Sequence, residues 1–355
     1  MIPPWHPEAE TYIRITTEWY RGLPRNAHVT AVFSDSWPRR RRSVTRPYPW
    51  RSDACGTRRP PTLRAVASLP SASRSERLPG RRHEVDLPTG IVPYRTYGDV
   101  TAPPLVMLHG LRGDHHGLEP IASQLSGFHV LVPDLPGFGE APPLTSGSHD
   151  IAGYAAWSSA FVRAVAPGAA LLGHSFGSIV ASAAVADGLP VRALVLVTPV
   201  AGSALGGPRQ AMTKATVLVH RLCAALPERL GTAVLRSRLF TRVASVAMVK
   251  TSDRELRRWI HAEHDRYFGG FADRRVLMEA FGASVSHGVD ESAARIPVPT
   301  LLIGTTLDDI TAPAEQERLV TLFPHARLEM IDDTGHLVHY ERPDAVAALI
   351  GRFLA

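Results

Sequence analysis

Leu171-Leu172-Gly173-His174-Ser175-Phe176-Gly177 carries the pattern Gly-x-Ser-x-Gly. An apolar run from Ala169 precedes it and an alanine-rich stretch from Ser178 to Ala186 follows. The segment therefore reads as a strand, a sharp turn and a helix. A serine held on such a turn needs glycine two residues before and after it, because side chains there would strike the neighbouring strand or helix. The strained turn lifts the hydroxyl out of the sheet, and the N–H groups that open the helix face the same point. In a chain of this composition the pattern would arise by chance about 0.15 times. The motif alone is compatible with an idle serine at an ordinary strand–helix turn, so its surroundings have to decide.

Those surroundings alternate strands with helices. His83 to Leu87, the turn Pro88-Thr89-Gly90 and Ile91 to Tyr97 predict two strands around a turn. Leu105 to His109 and Phe128 to Val132 are compact apolar strands, with a helix from Gly117 to Leu125 between them. Ile151 to Val165 has helical spacing; Val191 to Val197, Pro299 to Ile303 and Arg327 to Ile331 read as further strands. Val346, Leu349, Ile350, Phe353 and Leu354 give a closing helix with one apolar face. This alternation calls for an α/β fold with a mostly parallel, doubly wound sheet. Between Gly202 and Pro297 the pattern is helical without a convincing strand, which predicts a helical cap inserted at about 203–297. The apolar residues of that stretch, among them Leu218, Val219, Leu222, Phe240, Met248, Phe268, Phe271 and Phe281, are expected to form mainly the core of the cap.

Residues 1–82 differ in kind. They hold 16 Arg, no Lys and 6 acidic residues, a balance of +10, with 11 of the 30 prolines and 4 of the 6 tryptophans. The remaining residues hold 23 basic and 27 acidic side chains, so the net charge of +6 belongs to the extension. We read residues 1–82 as a mostly disordered extension without a role in the chemistry. A basic tail for an anionic surface and a targeting segment are the alternatives. The mildly acidic body gives nucleic-acid binding no support. No apolar run of 18 residues exists, and Glu8, Glu10 and Glu18 interrupt the N-terminus, so neither a membrane span nor a signal peptide is expected. Two distant cysteines, Cys55 and Cys223, argue against a disulfide framework and lead us to expect a reducing, cytoplasmic setting.

Three features outside the elbow fall where a serine nucleophile needs them. His109-Gly110-Leu111 ends a core strand, and its glycine lets the N–H of Leu111 face the same point as that of Phe176, as an oxyanion hole requires. Asp308 and Asp309 follow the strand ending in Gly304, and either could orient an imidazole. His336, in Asp332-Asp333-Thr334-Gly335-His336, lies just beyond the last strand. Two other clusters read as structural. Asp114-His115-His116 is expected to start a helix with diverging imidazoles and no metal, and His261-x-x-His264 to lie on a solvated face.

The order Ser, acid, His, each beyond a strand's carboxyl end, resembles the α/β-hydrolase fold superfamily in its capped form. The resemblance covers residues 83–355 and rests on His109-Gly110, Asp134 to Gly139, Gly173 to Gly177, Asp308/Asp309 before Pro313, and Gly335-His336 with Glu341-Arg342-Pro343. It implies Ser175 as nucleophile, His336 as general base and then acid, and an aspartate as orienter, with no cofactor or metal. Many relatives place the acid three residues after the glycine and four before a proline. Here those positions hold Leu307 and Asp309, and Asp308 meets neither. Asp308 is preferred because the following Asp309-Ile310-Thr311 resembles the usual run after the acid; Asp309 remains the alternative. Asp134 is expected to shape its loop. The activity implied is hydrolysis of a carboxylic ester or related apolar acyl compound. Cleavage of a carbon–carbon bond in a β-diketone-type acid is the nearest alternative, and a non-catalytic ligand-binding protein is the alternative of a different class.

Overall fold

Eight strands align in the order β1-β2-β4-β3-β5-β6-β7-β8. The computed structural model describes residues 80–205 and 210–355; the extension expected over 1–82 lies outside these residues as far as position 79. β1 (Arg81–Leu87) and β2 (Gly90–Tyr97) form a hairpin, and β2 also runs antiparallel to β4 (His129–Pro133). From β4 onward all pairs are parallel: β3 (Pro104–Leu108), β5 (Ala170–His174), β6 (Leu194–Val197), β7 (Thr300–Thr305) and β8 (Ala326–Ile331). β1 starts two residues before the expected His83 because Arg81 and Arg82 pair in register with Thr96 and Arg95. The Arg82 guanidinium also meets Glu140 at 3.1 Å. β6 is shorter than the apolar run Val191 to Val197, since its pairing with β7 begins only at Leu194 opposite Thr300.

The central strands β3, β4, β5, β6 and β7 are almost wholly buried because both faces of the sheet are covered there. Val106 and Leu108 face a core shared with α2 (Ile151–Val165) and α3 (Phe176–Ala186), packed on Tyr154, Phe161 and Ile179. Leu105 and Met107, one residue out of phase, face α1 (Glu119–Ala122) and α12 (Pro343–Leu354) through Leu118, Ile121 and Leu349. α1 is shorter than the helix expected over 117–125. A 3-10 turn at His115–Gly117 precedes it, and Pro120, with its fixed φ and no N–H, sits at its start.

Between β6 and β7 the described residues form helices only: α4 (Gln210–Ala225), α5 (Glu228–Arg236), α6 (Arg238–Met248), α7 (Arg254–Tyr267), α8 (Arg274–Ser286) and α9 (Asp290–Ala293). Local capping sets several starts. Ser237 accepts from Phe240 N, Asp253 from Glu255 N and Leu256 N, and Asp273 from Val276 N. One isolated bridge, Phe138 with Phe271, ties this region to the loop after β4. The apolar residues of α4 divide differently from expectation. Val217, His220 and Cys223 are buried on its inner face, while Leu218, Val219 and Leu222 are exposed. Among the described residues, α10 (Pro313–Val320) and α11 (Val338–Glu341) are the remaining helices, beside β7 and after β8.

Candidate active site

Ser175 sits between β5 and α3 with φ +53° and ψ −118°, a conformation L-residues rarely adopt. Such strain costs about 1–3 kcal/mol and persists only where the surroundings enforce it. Here the elbow is tied from two sides: Ser175 N donates to Val197 O at 3.1 Å, and Ser178 N donates to Ser175 O at 2.8 Å. The flanking glycines are steric necessities. A Cβ on Gly173 would lie 2.2 Å from Gly177 O, and one on Gly177 would lie 2.4 Å from Leu108 O. From Ala169 to Val185 every residue is buried except Ser175, which is partly exposed.

His336 reaches the elbow from the loop after β8. Its Nε2 lies 2.8 Å from Ser175 Oγ, and its Nδ1 lies 3.0 Å from Asp308 Oδ2 and 3.2 Å from Oδ1. A carboxylate only accepts, so Nδ1–H donates to Asp308, and the bare Nε2 accepts from the serine hydroxyl. Asp308 is held in turn by Ile310 N at 2.7 Å and Thr311 N at 3.1 Å. Of the two candidate acids, the structure brings Asp308 to the histidine. Asp309 instead forms an ion pair with Lys250, which enters from the end of α6.

The His336 loop is fixed by ties the sequence did not signal. Thr305 Oγ1 donates to Gly335 O at 3.2 Å, and Thr198 Oγ1 donates to His336 O at 3.3 Å. The buried Glu341 accepts from Gly335 N at 3.1 Å and also from Lys250 N and Thr251 N, joining the inserted helices to the loop.

Leu111 and Gly110 lie against the elbow from the end of β3. A Cβ on Gly110 would sit 3.1 Å from His174 Nδ1 and 3.2 Å from Ser175 Cβ, so a side chain here would crowd the elbow. Leu111 lines the same cavity as Ser175, and Phe176 is the first residue of α3. The cavity has a volume of about 580 Å³. Its walls include Leu118, Val200, Met248, Phe268, Phe281 and Tyr340, drawn from both the sheet ends and the inserted helices.

Three further histidines crowd the site. His174 lies 4.1 Å from His339 and 5.6 Å from His336 between ring centres. Burial, reinforced by His336, pushes His174 down to about 3. Burial, reinforced by His174, His264 and His336, holds His339 well below the ordinary value of 6.5. His264 is also pushed down to about 3, by burial and then by His261 and Arg242. The expectation of a solvated face at His261-x-x-His264 is therefore corrected. His264 and Glu263 are buried, and both histidines bond Ser245 Oγ, at 2.6 Å and 2.7 Å.

Asp114-His115-His116 also departs from expectation. Its imidazoles lie 4.0 Å apart between ring centres, tilted by 33°, instead of diverging, and His116 is stacked on Tyr267. Ligand-type atoms of the three residues lie within 4.8 Å of one another. Several of their polar atoms are engaged in the protein. Asp114 caps the 3-10 turn and meets His116 Nδ1, while His115 Nδ1 lies 2.9 Å from Asp134. Asp134 shapes its loop by accepting from His115 N at 2.6 Å and Glu140 N at 2.8 Å. Burial opposes charge on both partners, but their mutual attraction outweighs it: His115 is raised and Asp134 lowered. Arg112, next to the Gly110 turn, is another buried group the sequence did not signal. It donates to Leu235 O and Phe268 O, faces Phe240, Phe268 and Phe271, and is pushed down to about 10 by burial.

The model of the alpha/beta hydrolase family matches residues 105–349. Among curated proteins, lipase 1 of Psychrobacter immobilis is 27% identical over 263 residues, covering 72% of this chain and 77% of that protein. Lipase 3 of Moraxella sp. (strain TA144) is 25% identical over 253 residues, covering 69% and 75%. Among solved structures, an enol-lactonase from Burkholderia xenovorans LB400 superposes with a TM-score of 0.63 at 20% identity, covering 77% of this chain and 99% of that one. An esterase from Exiguobacterium antarcticum gives 0.63 at 16% identity, covering 78% and 100%. At these identities the structural likenesses establish the fold. Among the described residues, no helix is long and apolar enough to cross a membrane.

Proposed function

We infer that this chain, which belongs to the alpha/beta hydrolase family and is a hydrolase, cleaves carboxylic esters or related acyl compounds through an acyl-enzyme on Ser175. One observation carries the reading: the line Ser175 Oγ, His336 Nε2, His336 Nδ1, Asp308, with contacts of 2.8 Å and 3.0 Å. In this reaction His336 Nε2 takes the proton of Ser175 as Oγ attacks the substrate carbonyl. The imidazolium that forms is stabilised by Asp308 and then protonates the leaving alkoxide. Water, activated by the same Nε2, attacks the acyl-enzyme, releasing the acid and restoring the serine. The oxyanion of each tetrahedral intermediate is received by the N–H groups of Leu111 and Phe176. Loss of one such donor typically costs about 10²–10³ in rate.

The apolar walls of the cavity support an apolar acyl group as the preferred substrate part. The lipases among the relatives support the same class. The test is a series of chromogenic esters of increasing acyl length, assayed with wild type and Ser175→Ala. Turnover that rises with acyl length and disappears in the variant is the expected result. Equal turnover by the variant would remove the reading. Turnover of β-diketone acids with no ester hydrolysis would replace it with carbon–carbon cleavage.

A further inference from the structure

Nine of the thirteen exposed large aliphatic side chains among the described residues fall between positions 218 and 246. They are Leu218, Val219, Leu222 and Leu226 on and after α4, Leu230 and Val234 on α5, and Leu239, Val243 and Val246 on α6. In α5 and α6 their spacing of three, four or seven puts them on one face, and in α4 Leu218, Val219 and Leu222 share the outer side. α6 is inside out: Thr241 and Ser245 are buried, while Leu239, Val243 and Val246 are 75%, 64% and 60% exposed. A helix that hides its hydroxyls and shows its aliphatics is built for a second apolar phase, because water alone would favour the opposite arrangement.

The charges of the same stretch indicate which phase. Residues 210–248 contain Lys214, Arg221, Arg229, Arg236, Arg238 and Arg242 against a single acid, Glu228. Arg236 and Arg242 are engaged in the protein, with Phe271 O and Asp265 respectively. Lys214, Arg221, Arg229 and Arg238 are exposed on the same stretch, Lys214 and Arg221 while also keeping interactions within the protein. The N-terminal 82 residues, with a balance of +10, carry the same sign, and so does the equivalent face of a second copy. Like charges repel, so neither complements the charge of this surface. An apolar helix face bordered by cations matches the boundary between acyl chains and anionic headgroups.

We propose that α4, α5 and α6 form a docking surface for an anionic lipid bilayer, lying in the headgroup region without crossing it. The aliphatic side chains enter the acyl boundary while Lys214, Arg221, Arg229 and Arg238 meet the phosphates. Docking of this kind brings the inserted helices that wall the cavity to the lipid surface.

The test is flotation of the full-length protein with vesicles of phosphatidylcholine alone and of phosphatidylcholine mixed with phosphatidylglycerol. Wild type is expected to float with the mixed vesicles. The variant Leu239→Ser/Val243→Ser/Val246→Ser is expected to partition at least about tenfold less, with an unchanged circular-dichroism spectrum. Because the N-terminal arginines also attract anionic lipid, the comparison is repeated at about 0.5 M salt, where exposed charges are screened to a few ångströms. The difference between wild type and variant should persist there. Equal flotation of the two proteins, or no flotation of wild type, overturns the proposal. So does a wild-type dimer in sedimentation velocity that the same substitutions dissociate, since the face would then be buried between copies. Ser175→Ala is expected to float like wild type, so the result is independent of the acyl-enzyme reading.

Discussion

The carboxylate of Asp308 lies 3.0 Å from Nδ1 of His336, whereas its neighbour Asp309 turns to Lys250. Adjacent residues of the same type thus face opposite ways from the end of β7. Asp308→Asn should lower kcat by about 10³–10⁴, because an amide that donates to Nδ1 enforces the wrong imidazole tautomer. Asp309→Asn removes one partly exposed ion pair and should leave kcat within about tenfold of wild type. Steady-state ester hydrolysis by the two variants checks this, and a severe loss confined to Asp309→Asn would reverse the assignment.

The elbow glycines should tolerate no side chain. Gly177→Ala places a Cβ 2.4 Å from Leu108 O and 2.7 Å from His109 O, both of them backbone atoms that cannot swing aside. A destabilisation of about 1–3 kcal/mol or more is expected. Gly351→Ala, in α12 with nothing within 4 Å of the new Cβ, should instead be neutral or gain up to about 1 kcal/mol. Thermal melting of the two variants separates local crowding from a general intolerance of glycine replacement.

Buried neutral histidines make stability fall in mild acid. The folded-state values of His174, His264 and His339 all lie below the ordinary 6.5. The unfolded chain therefore binds protons that the native state refuses, and stability is lost as pH falls below 6.5. Each group adds a slope of up to about 1.4 kcal/mol per pH unit. His115, raised by Asp134, works in the opposite direction but is outnumbered. Denaturant unfolding between about pH 7 and pH 5 should show this decline, and His339→Phe should flatten it by about one proton. A stability independent of pH across that range would contradict the buried, neutral state.

The His115–Asp134 pair has the reverse signature at its histidine. Asp134 is lowered, so its contribution is present above 3.8 and is lost as pH falls through its folded value. His115 is raised, so its contribution is complete below 6.5 and is lost as pH rises through its folded value. Asp134→Asn should cost about 3 kcal/mol near pH 6, since it removes one partner of a buried pair. The gap to wild type should narrow at alkaline pH. A gap that widens there would show that the pair is not ionised.

The sheet was legible in the sequence because its parallel strands are short apolar runs. Ser175 and His336 were legible because glycine-bounded turns mark their places. Distances along the chain to Gly304 and Pro313 do not decide between Asp308 and Asp309, and the preference for Asp308 rests only on the run Asp309-Ile310-Thr311 that follows it. What separates them is Lys250, 59 residues earlier in the chain, which captures Asp309. His174, His339 and Glu341 lay in or beside the quoted motifs, yet their burial follows from how three loops meet. In α4, a list of apolar residues could not separate the inward Val217 from the outward Leu218 beside it. The partition depends on which face α8 covers, through Phe281 and Val285 against Val217.

The most direct test of the central claim is intact-protein mass spectrometry after treatment with a fluorophosphonate, followed by peptide mapping. One adduct on Ser175 is predicted, absent from Ser175→Ala and strongly slowed in His336→Ala. An unmodified wild type, or an adduct that persists in Ser175→Ala, would contradict the acyl-enzyme account.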